Sequence, residues 1–405
     1  MGLREKINEI KIIDDHIHAL DDVQWITGTG SYPWPQNLGS VQFPNPLTTI
    51  TQREALFTAY RELYDFHETD MTPENKERIN AIYLSTLKDE SPVFEKVFKA
   101  GNIECAIEVN QDSLELPEKL DPKLYKLSPM VDGLIVPLDN TEYGKTLPND
   151  TARLFLKMYE AFTKNVVGDR KIESFNDYLK FIDTLLADIH ARSCACLKMN
   201  FGYWRDLAID VVSKEEAQQI FESNDTTPAR YQRLQDYLLR YIIAGTARYE
   251  IPTQIHVGGA VPQSMLVSDP VRLDAFLLLP DIQKAKVVLL HGGYPFTRET
   301  GFMANRPFAP NIFMDISQYW HLLYGSPQGL VGTLRGWFEM GLAGKMIYGS
   351  DGVTPIKILT SAIFFREGLY LALKGMIDDG MISEGQALTM AKMVMRDNAK
   401  TLYKI

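Results

Sequence analysis

The sequence contains little cysteine and no long apolar segment. Its three cysteines, Cys105, Cys194 and Cys196, are too few for a disulfide framework. No apolar run reaches the roughly 18 residues that a membrane-spanning helix needs, and the first ten residues, MGLREKINEI, lack the apolar core of a signal peptide. These absences predict a cytoplasmic protein in a reducing compartment.

Positive charge is also scarce, because the formal net charge is -10. An acidic chain gives no reason to expect nucleic acid or a membrane surface as a partner. We therefore expect a small-molecule substrate, and an anionic substrate would need cationic side chains placed locally at the site. The oligomeric state stays open, with a homo-oligomer as one option.

Glycine-rich phosphate loops are absent too. Neither GxGxxG nor a P-loop follows any apolar run, which argues against an open, doubly wound nucleotide-binding sheet. Short apolar runs instead alternate with segments of helical periodicity. The runs span 11–18, 103–110, 132–138, 194–200, 252–258, 286–293, 311–317 and 345–351. Eight alternating units predict an α/β fold, a closed (β/α)8 TIM barrel forming a single domain over residues 1–405.

A long insertion separates the first two predicted strands. Residues 19–102 begin with a stretch rich in glycine, proline and aromatics and continue as helical text. Because an insertion after a barrel strand lies at the mouth, we predict a lid or cap that offers Trp25 or Trp34 to the substrate. A purely structural excursion is the alternative. A second long excursion covers residues 139–192.

Histidine is rare, and its placement is informative. Four of the seven histidines fall at ends of predicted strands, as do one lysine and one aspartate. They are His16, His18, Lys198, His256, His291 and Asp351. Barrel enzymes place their catalytic groups at the C-terminal ends of the strands. A lone histidine at a strand end is more often a hydrogen-bonded core residue, but the joint pattern predicts a metal site.

The HxH pair gives the metal prediction a geometric basis. Residues two apart in a strand share a face, so His16 and His18 are expected to point together into the barrel. Imidazole and carboxylate groups are the usual ligands of a divalent cation such as zinc. We therefore expect a divalent metal, with zinc as the first choice.

Several phrases resemble the amidohydrolase superfamily. They are IIDDHIH, LKMNFGYWRDL, LLHGGYPFTRETGFMA, NIFMDIS, MIYGSDG and RDNAKTLYKI. They are most similar to the amidohydrolase-2 branch, and within it to the amidohydrolase part of FluG- and nodulin-type proteins. The resemblance covers roughly residues 11–20 and 190–405. Since His16 lies so near the start, we expect no β-sandwich before the barrel, unlike urease- and hydantoinase-like members.

The resemblance implies roles for these residues. His16, His18 and Asp351 would hold one metal, and His256 would be a ligand in either a one-metal or a two-metal arrangement. Asp351 would accept a proton from water and pass it to the leaving group. His291 would polarise the substrate carbonyl or bind a second metal. A bound metal lowers the pKa of its water toward about 7, which makes hydroxide available at neutral pH.

Lys198 decides between one metal ion and two. In binuclear members of the superfamily the lysine of the fourth strand is carboxylated and bridges the metals. In many amidohydrolase-2 members one metal suffices and a lysine at this place binds substrate. Both arrangements stay open, with a slight preference for the binuclear, carboxylated form. A lysine that simply extends out of the mouth is the third option.

Three further residues are candidates for substrate binding. Tyr203 and Arg205 follow Lys198, and Arg298 follows His291. Arginine suits a substrate carboxylate because its guanidinium forms bidentate pairs. A surface ion pair is the alternative for each arginine.

The expected reaction is hydrolysis of a C–N bond by a metal-activated water, in an amide of a small carboxylate-bearing compound. The branch that the sequence resembles also contains non-oxidative decarboxylases and lactonases, which are the alternative enzyme classes. A catalytically inactive barrel acting as a binding module is the non-enzymatic alternative. It should have lost ligands, and this sequence retains all six.

Overall fold

The computed structural model describes residues 2–18, 53–70, 72–86, 91–110, 113–118, 120–259, 264–307, 310–317 and 326–405. Within these residues the chain is an α/β protein whose paired strands run parallel, as the sequence predicts. Its strands are β1 Ile12–Ile17, β2 Ile103–Asn110, β3 Tyr125–Pro129, β4 Leu197–Met199, β5 Thr253–His256, β6 Val287–Leu290, β7 Ile312–Ile316 and β8 Met346–Tyr348.

Helices separate the strands. The α-helices are α1 Leu3–Asn8, α2 Arg53–Tyr64, α3 Pro73–Thr86, α4 Ser91–Ala100, α5 Thr141–Thr146, α6 Asp150–Val167, α7 Phe175–Ala191, α8 Lys214–Glu222, α9 Pro228–Thr246, α10 Asp274–Leu277, α11 Thr297–Asn305, α12 Gln328–Glu339, α13 Pro355–Asp378, α14 Glu384–Lys392 and α15 Asn398–Tyr403. None of the described helices has both the length and the apolar character needed to cross a membrane.

The predicted third strand is wrong in position. Residues 132–138 do not form a strand, because Asp132–Ile135 is a 3₁₀ helix and the strand lies earlier, at β3. The 3₁₀ residues are fully buried, so their apolar run resembles a strand in the sequence. Periodicity alone cannot distinguish a buried strand from a short buried helix. Gly133 permits the packing, because a Cβ there would lie 2.1 Å from the carbonyl oxygen of Tyr159.

The chain divides into two compact units. The first comprises residues 1–108, 117–125 and 316–401, and the second comprises 109–116, 126–315 and 402–405. In the first unit β1 pairs in parallel with β2, with Ile12 opposite Ile103. A parallel bridge also joins Ile17 to Gly352, just beyond β8. The first strand is therefore a neighbour of the last, as closure of a barrel requires.

The second unit contains a continuous parallel ladder. Strands β4, β5, β6 and β7 pair in chain order, with Thr253 opposite both Leu197 and Val287. A parallel bridge between Met130 and Lys198 places the chain that leaves β3 beside β4. Because all these strands are parallel, the residues at their C-terminal ends emerge at the same edge of the ladder.

The helical part of the 19–102 insertion packs within the first unit. Helices α2 and α4 contact α13, the long helix that follows β8. Trp25 and Trp34 belong to residues 19–52, which lie outside the described residues. The prediction that the insertion forms a lid therefore stays a prediction.

The cysteines are buried, and none forms a disulfide in the described part of the chain. Burial raises the pKa of the Cys194 thiol to about 11. The three cysteines are thus small interior side chains.

Candidate metal centre

Three predicted ligands converge at one end of the first unit. His16 and His18 come from the end of β1, and Asp351 follows β8. One ligand atom from each residue lies within 4.8 Å of the other two. The Asp351 Oδ1 atom is 3.0 Å from His16 Nε2 and 3.4 Å from His18 Nε2. The two Nε2 atoms are 3.2 Å apart.

Backbone contacts bring these side chains together. The Asp351 amide donates to the His16 carbonyl, and the His18 amide donates to the Gly352 carbonyl, each at 2.8 Å. Asp351 adopts a left-handed conformation with a φ of 50°. Such a φ is uncommon outside glycine and clusters at functional sites.

The cluster is buried and electrostatically tuned. His16 is 1% exposed and Asp351 is 7% exposed. Burial alone would raise the pKa of Asp351, but hydrogen bonds from His16 and His18, together with the charge of Lys357, hold that pKa well below 3.8. The carboxylate is therefore ionised, as a metal ligand must be.

The donor chemistry fits a divalent cation. Two imidazoles and one ionised carboxylate form a common three-ligand set for catalytic zinc, which leaves a position for water or substrate. The residues His16, His18 and Asp351 would hold the ion. Zinc is not distinguished from other borderline divalent metals by these donors alone.

A second cluster lies in the second unit, at the ends of β5 and β6. His291 Nε2 is 2.9 Å from His256 Nδ1, and the two rings meet edge to face. The Tyr203 ring packs against His256 with centroids 4.8 Å apart. His291, like Asp351, is left-handed, with a φ of 58°. The structure thus brings Tyr203, His256 and His291 together. That these residues form one site with His16, His18 and Asp351 stays a prediction.

Lys198 is buried in the second unit, with 1% of its surface exposed. The positive charge of Lys198 acts on the carboxyl of Asp132 and tends to lower the pKa of that group. Burial nevertheless raises the pKa of Asp132 to about 7. A buried lysine needs a charged partner or a modification, so this position is compatible with both roles predicted for Lys198.

Arg205 is buried, and the protein itself supplies its hydrogen-bond acceptors. All five N–H donors of a guanidinium are used here. They donate to the carbonyls of Asp206, Ala208 and Gln232 and to the side chains of Gln235 and Asp236. This geometry favours a structural role within the loop after β4. The predicted contact with substrate stays a prediction.

Arg298 lies in the first turn of α11 and is exposed. The sequence analysis missed Lys357, a buried lysine near the start of α13 whose charge acts on Asp351. It also missed the buried aspartates Asp14, Asp132 and Asp315. The position of Asp14 two residues before His16 and the DxS pattern at the end of β7 were available signals.

Comparison with known proteins supports the predicted resemblance. No family model matches the chain. The protein fluG of Emericella nidulans is 21% identical over 427 aligned positions, which cover all of this chain and 47% of fluG. The chain therefore spans about half the length of the curated relative it matches. This similarity confirms the resemblance to FluG-type proteins.

Solved structures share the fold at low sequence identity. A Lactobacillus casei protein assigned to the metal-dependent hydrolases has a TM-score of 0.68 at 17% identity, covering 99% of this chain and 97% of that one. The uronate isomerase of Thermotoga maritima has a TM-score of 0.69 at 14% identity, covering 99% and 96%. The glucuronate isomerase of Caulobacter crescentus has a TM-score of 0.70 at 13% identity, covering 100% and 93%.

These similarities, with the parallel strands and the bridge between the first and last strands, define the fold class as an α/β TIM barrel. The neighbours named above are described as a metal-dependent hydrolase and two isomerases, and at 13–17% identity their likeness to this chain shows the fold alone. The fold by itself does not specify the reaction.

Proposed function

We propose that this chain is a metal-dependent hydrolase that cleaves the C–N bond of an amide in a small carboxylate-bearing substrate. The convergence of His16, His18 and Asp351 within 4.8 Å carries the proposal. A divalent cation bound there would lower the pKa of a water molecule toward about 7 and supply a nucleophile at neutral pH. Zinc is the proposed ion.

Other steps of the proposed reaction are assigned to individual side chains. Asp351 is proposed to accept a proton from the water and to pass it to the leaving nitrogen. His291, hydrogen-bonded to His256, is proposed to donate to the substrate carbonyl or to serve as a further ligand. Tyr203 would form an aromatic wall beside His256. Arg298, which is exposed, is the proposed contact for a substrate carboxylate.

Buried cations support an anionic substrate. The chain is acidic overall, so recognition of a carboxylate depends on local positive charge. Lys198 on β4 and Lys357 in the first turn of α13 are both buried lysines. The guanidinium of Arg205 is already committed to Asp236 and to neighbouring carbonyls. Lys198 and Lys357, as buried cations, are proposed as further candidates for charge recognition.

An isomerase of sugar acids is the second candidate. Two of the similar structures are named uronate or glucuronate isomerases, and their TM-scores equal or exceed that of the hydrolase. Such a substrate also carries a carboxylate, so buried lysines would serve either reaction. The similarity to fluG does not distinguish a hydrolase from an isomerase, because this chain covers only 47% of fluG.

A substrate panel distinguishes the candidates. Zinc-loaded protein is assayed for amine release from γ-glutamyl and related amides, for conversion of uronates, and for CO₂ release from aromatic acids. We expect amide hydrolysis that falls by about 10²- to 10⁴-fold in Asp351→Asn, because a general base is lost. Asp169→Asn, at an exposed position, is the matched control.

Hydrolysis that survives in Asp351→Asn would contradict the proposed role of that residue. Uronate conversion without any amide hydrolysis would replace the hydrolase with the isomerase. Metal content is measured on every variant, so that loss of the ion is separated from loss of the base.

A further inference from the structure

We propose that Asp14, Asp132 and Asp315, here called the strand-end aspartates, are positioning residues that fix the chain at the ends of the strands bearing the site residues. Each is fully or almost fully buried, with at most 1% of its surface exposed. Each accepts a hydrogen bond from a backbone amide at or just beyond the end of a neighbouring strand. The inference rests on the proposed metal-dependent function.

Asp14 holds both chain segments that form the metal cluster. Its Oδ1 atom accepts from the Ser350 amide at 2.8 Å and from the His16 amide at 3.4 Å. Ser350 directly precedes Asp351, and His16 is itself a proposed ligand. A single carboxylate oxygen therefore links β1 to the segment that follows β8.

Asp315 makes the same kind of contact in the second unit. It lies on β7, and its Oδ1 atom accepts from the amide of His291, the first residue after β6. His291 has the left-handed φ of 58° that L-residues disfavour. The hydrogen bond to the Asp315 side chain favours this conformation over its extended alternative, and so sets the direction of the imidazole.

Asp132 repeats the arrangement at β4. Its Oδ1 atom accepts from the Asn200 amide at 2.7 Å, one residue beyond the strand. The Met130–Lys198 bridge runs beside it. The direction of the chain as it leaves Lys198 is thus set by a carboxylate from the preceding segment.

The common physical reason is that buried backbone N–H groups need hydrogen-bond acceptors. Where a strand ends and the chain turns away, its amide loses the acceptor that the ladder supplied, and a buried amide needs another. A side-chain oxygen of an aspartate supplies this acceptor, and the amide oxygen of an asparagine can supply it as well. Residues that hydrogen-bond to the ligands or to their backbone, without binding the metal themselves, commonly orient metal ligands.

The test compares removal of the acceptor with its retention. Asp14→Ala removes the acceptor, whereas Asp14→Asn keeps an oxygen at the same place. Zinc affinity is measured by competition with a chelator, and Co²⁺ absorption reports ligand geometry. We expect Asp14→Ala to weaken zinc binding by about 10- to 100-fold, and Asp14→Asn to bind like the unmodified protein.

Asp236→Ala is the matched control. Asp236 is also buried and also accepts a backbone amide, that of Asp210, but it lies on α9 away from the strand ends. It should lower Tm while leaving zinc affinity and the Co²⁺ spectrum unchanged. Equal loss of zinc affinity in Asp236→Ala, or unchanged affinity in Asp14→Ala, would overturn the inference.

Equal weakening in Asp14→Asn and Asp14→Ala would also overturn it, since charge and not the acceptor would then matter. Should Asp14→Ala fail to fold, Asp315→Ala and Asp315→Asn are compared through the imidazole nitrogen NMR signals of the His256–His291 pair. Only the alanine variant should lose the pair's signals, and their retention would count against the inference. An unmodified protein that binds no zinc would instead defeat the proposed function.

Discussion

Arg205 is a buried cation that forms an ion pair with the buried Asp236. Its ion pair with Asp236 has both side chains 2% exposed, so neither charge is solvated by bulk water. Burial raises the pKa of Asp236, while the charge and hydrogen bonds of Arg205 oppose that rise. The pair connects the loop after β4 to α9, and Tyr203 lies on that loop.

We expect Arg205→Met to reduce the free energy of unfolding by about 3–5 kcal/mol, because removing one partner leaves a buried charge without compensation. Urea denaturation measures the change. The control is Arg205→Met combined with Asp236→Leu, which should recover most of the loss because an apolar pair needs no compensation. Normal stability with only a raised KM would instead support a substrate contact for Arg205.

At the scale of elements, the segment after β3 depends on close packing of helix against helix. The 3₁₀ helix Asp132–Ile135 contacts α6 and α9. At Gly133 a Cβ would lie 2.1 Å from the Tyr159 carbonyl oxygen and 2.2 Å from Thr163 Oγ1. One of these obstacles is backbone, so it cannot rotate away.

Gly133→Ala should therefore lower the free energy of unfolding by about 1–3 kcal/mol, the usual cost of overpacking. Gly144→Ala is the matched control, since its Cβ would have nothing nearer than 3.7 Å. Alanine there should be neutral or slightly stabilising, because it restricts the unfolded chain. A thermal melt of both variants measures the difference, and equal melting temperatures would contradict this account of the packing.

At the scale of the whole molecule, the metal centre depends on chain segments far apart in sequence. Asp14 and Ser350, which are hydrogen-bonded, are 336 positions apart. The unfolded chain therefore does not assemble the His16–His18–Asp351 cluster. A ligand that binds only the folded protein stabilises it by mass action.

Zinc should consequently raise Tm, with a gain of about 2.7 kcal/mol at a free concentration one hundred times Kd. Calorimetry with and without zinc measures this gain, and Asp351→Asn should lose most of it while Asp169→Asn keeps it. The bound equivalents are counted with and without bicarbonate, because a carboxylated Lys198 would admit a second ion. An unchanged Tm at saturating zinc would argue against a site of this composition.

Local pattern was sufficient to predict most of the fold. Seven of the eight predicted runs contain an observed strand, because each is a short buried apolar segment followed by helical periodicity. The exception is instructive. Residues 132–138 form an apolar run like that of a strand, but Asp132–Ile135 is a buried 3₁₀ helix whose Gly133 lies close against Tyr159.

What the sequence by itself determined is the chemistry at the strand ends. The period of two in a strand places His16 and His18 on one face, and parallel strands present their last residues at one edge. The tertiary structure decided how each charge is used. Arg205 is committed to Asp236, Lys357 acts on Asp351, and the strand-end aspartates hold the turns. These pairings depend on which strands are neighbours and in what register, and folding sets that across hundreds of residues.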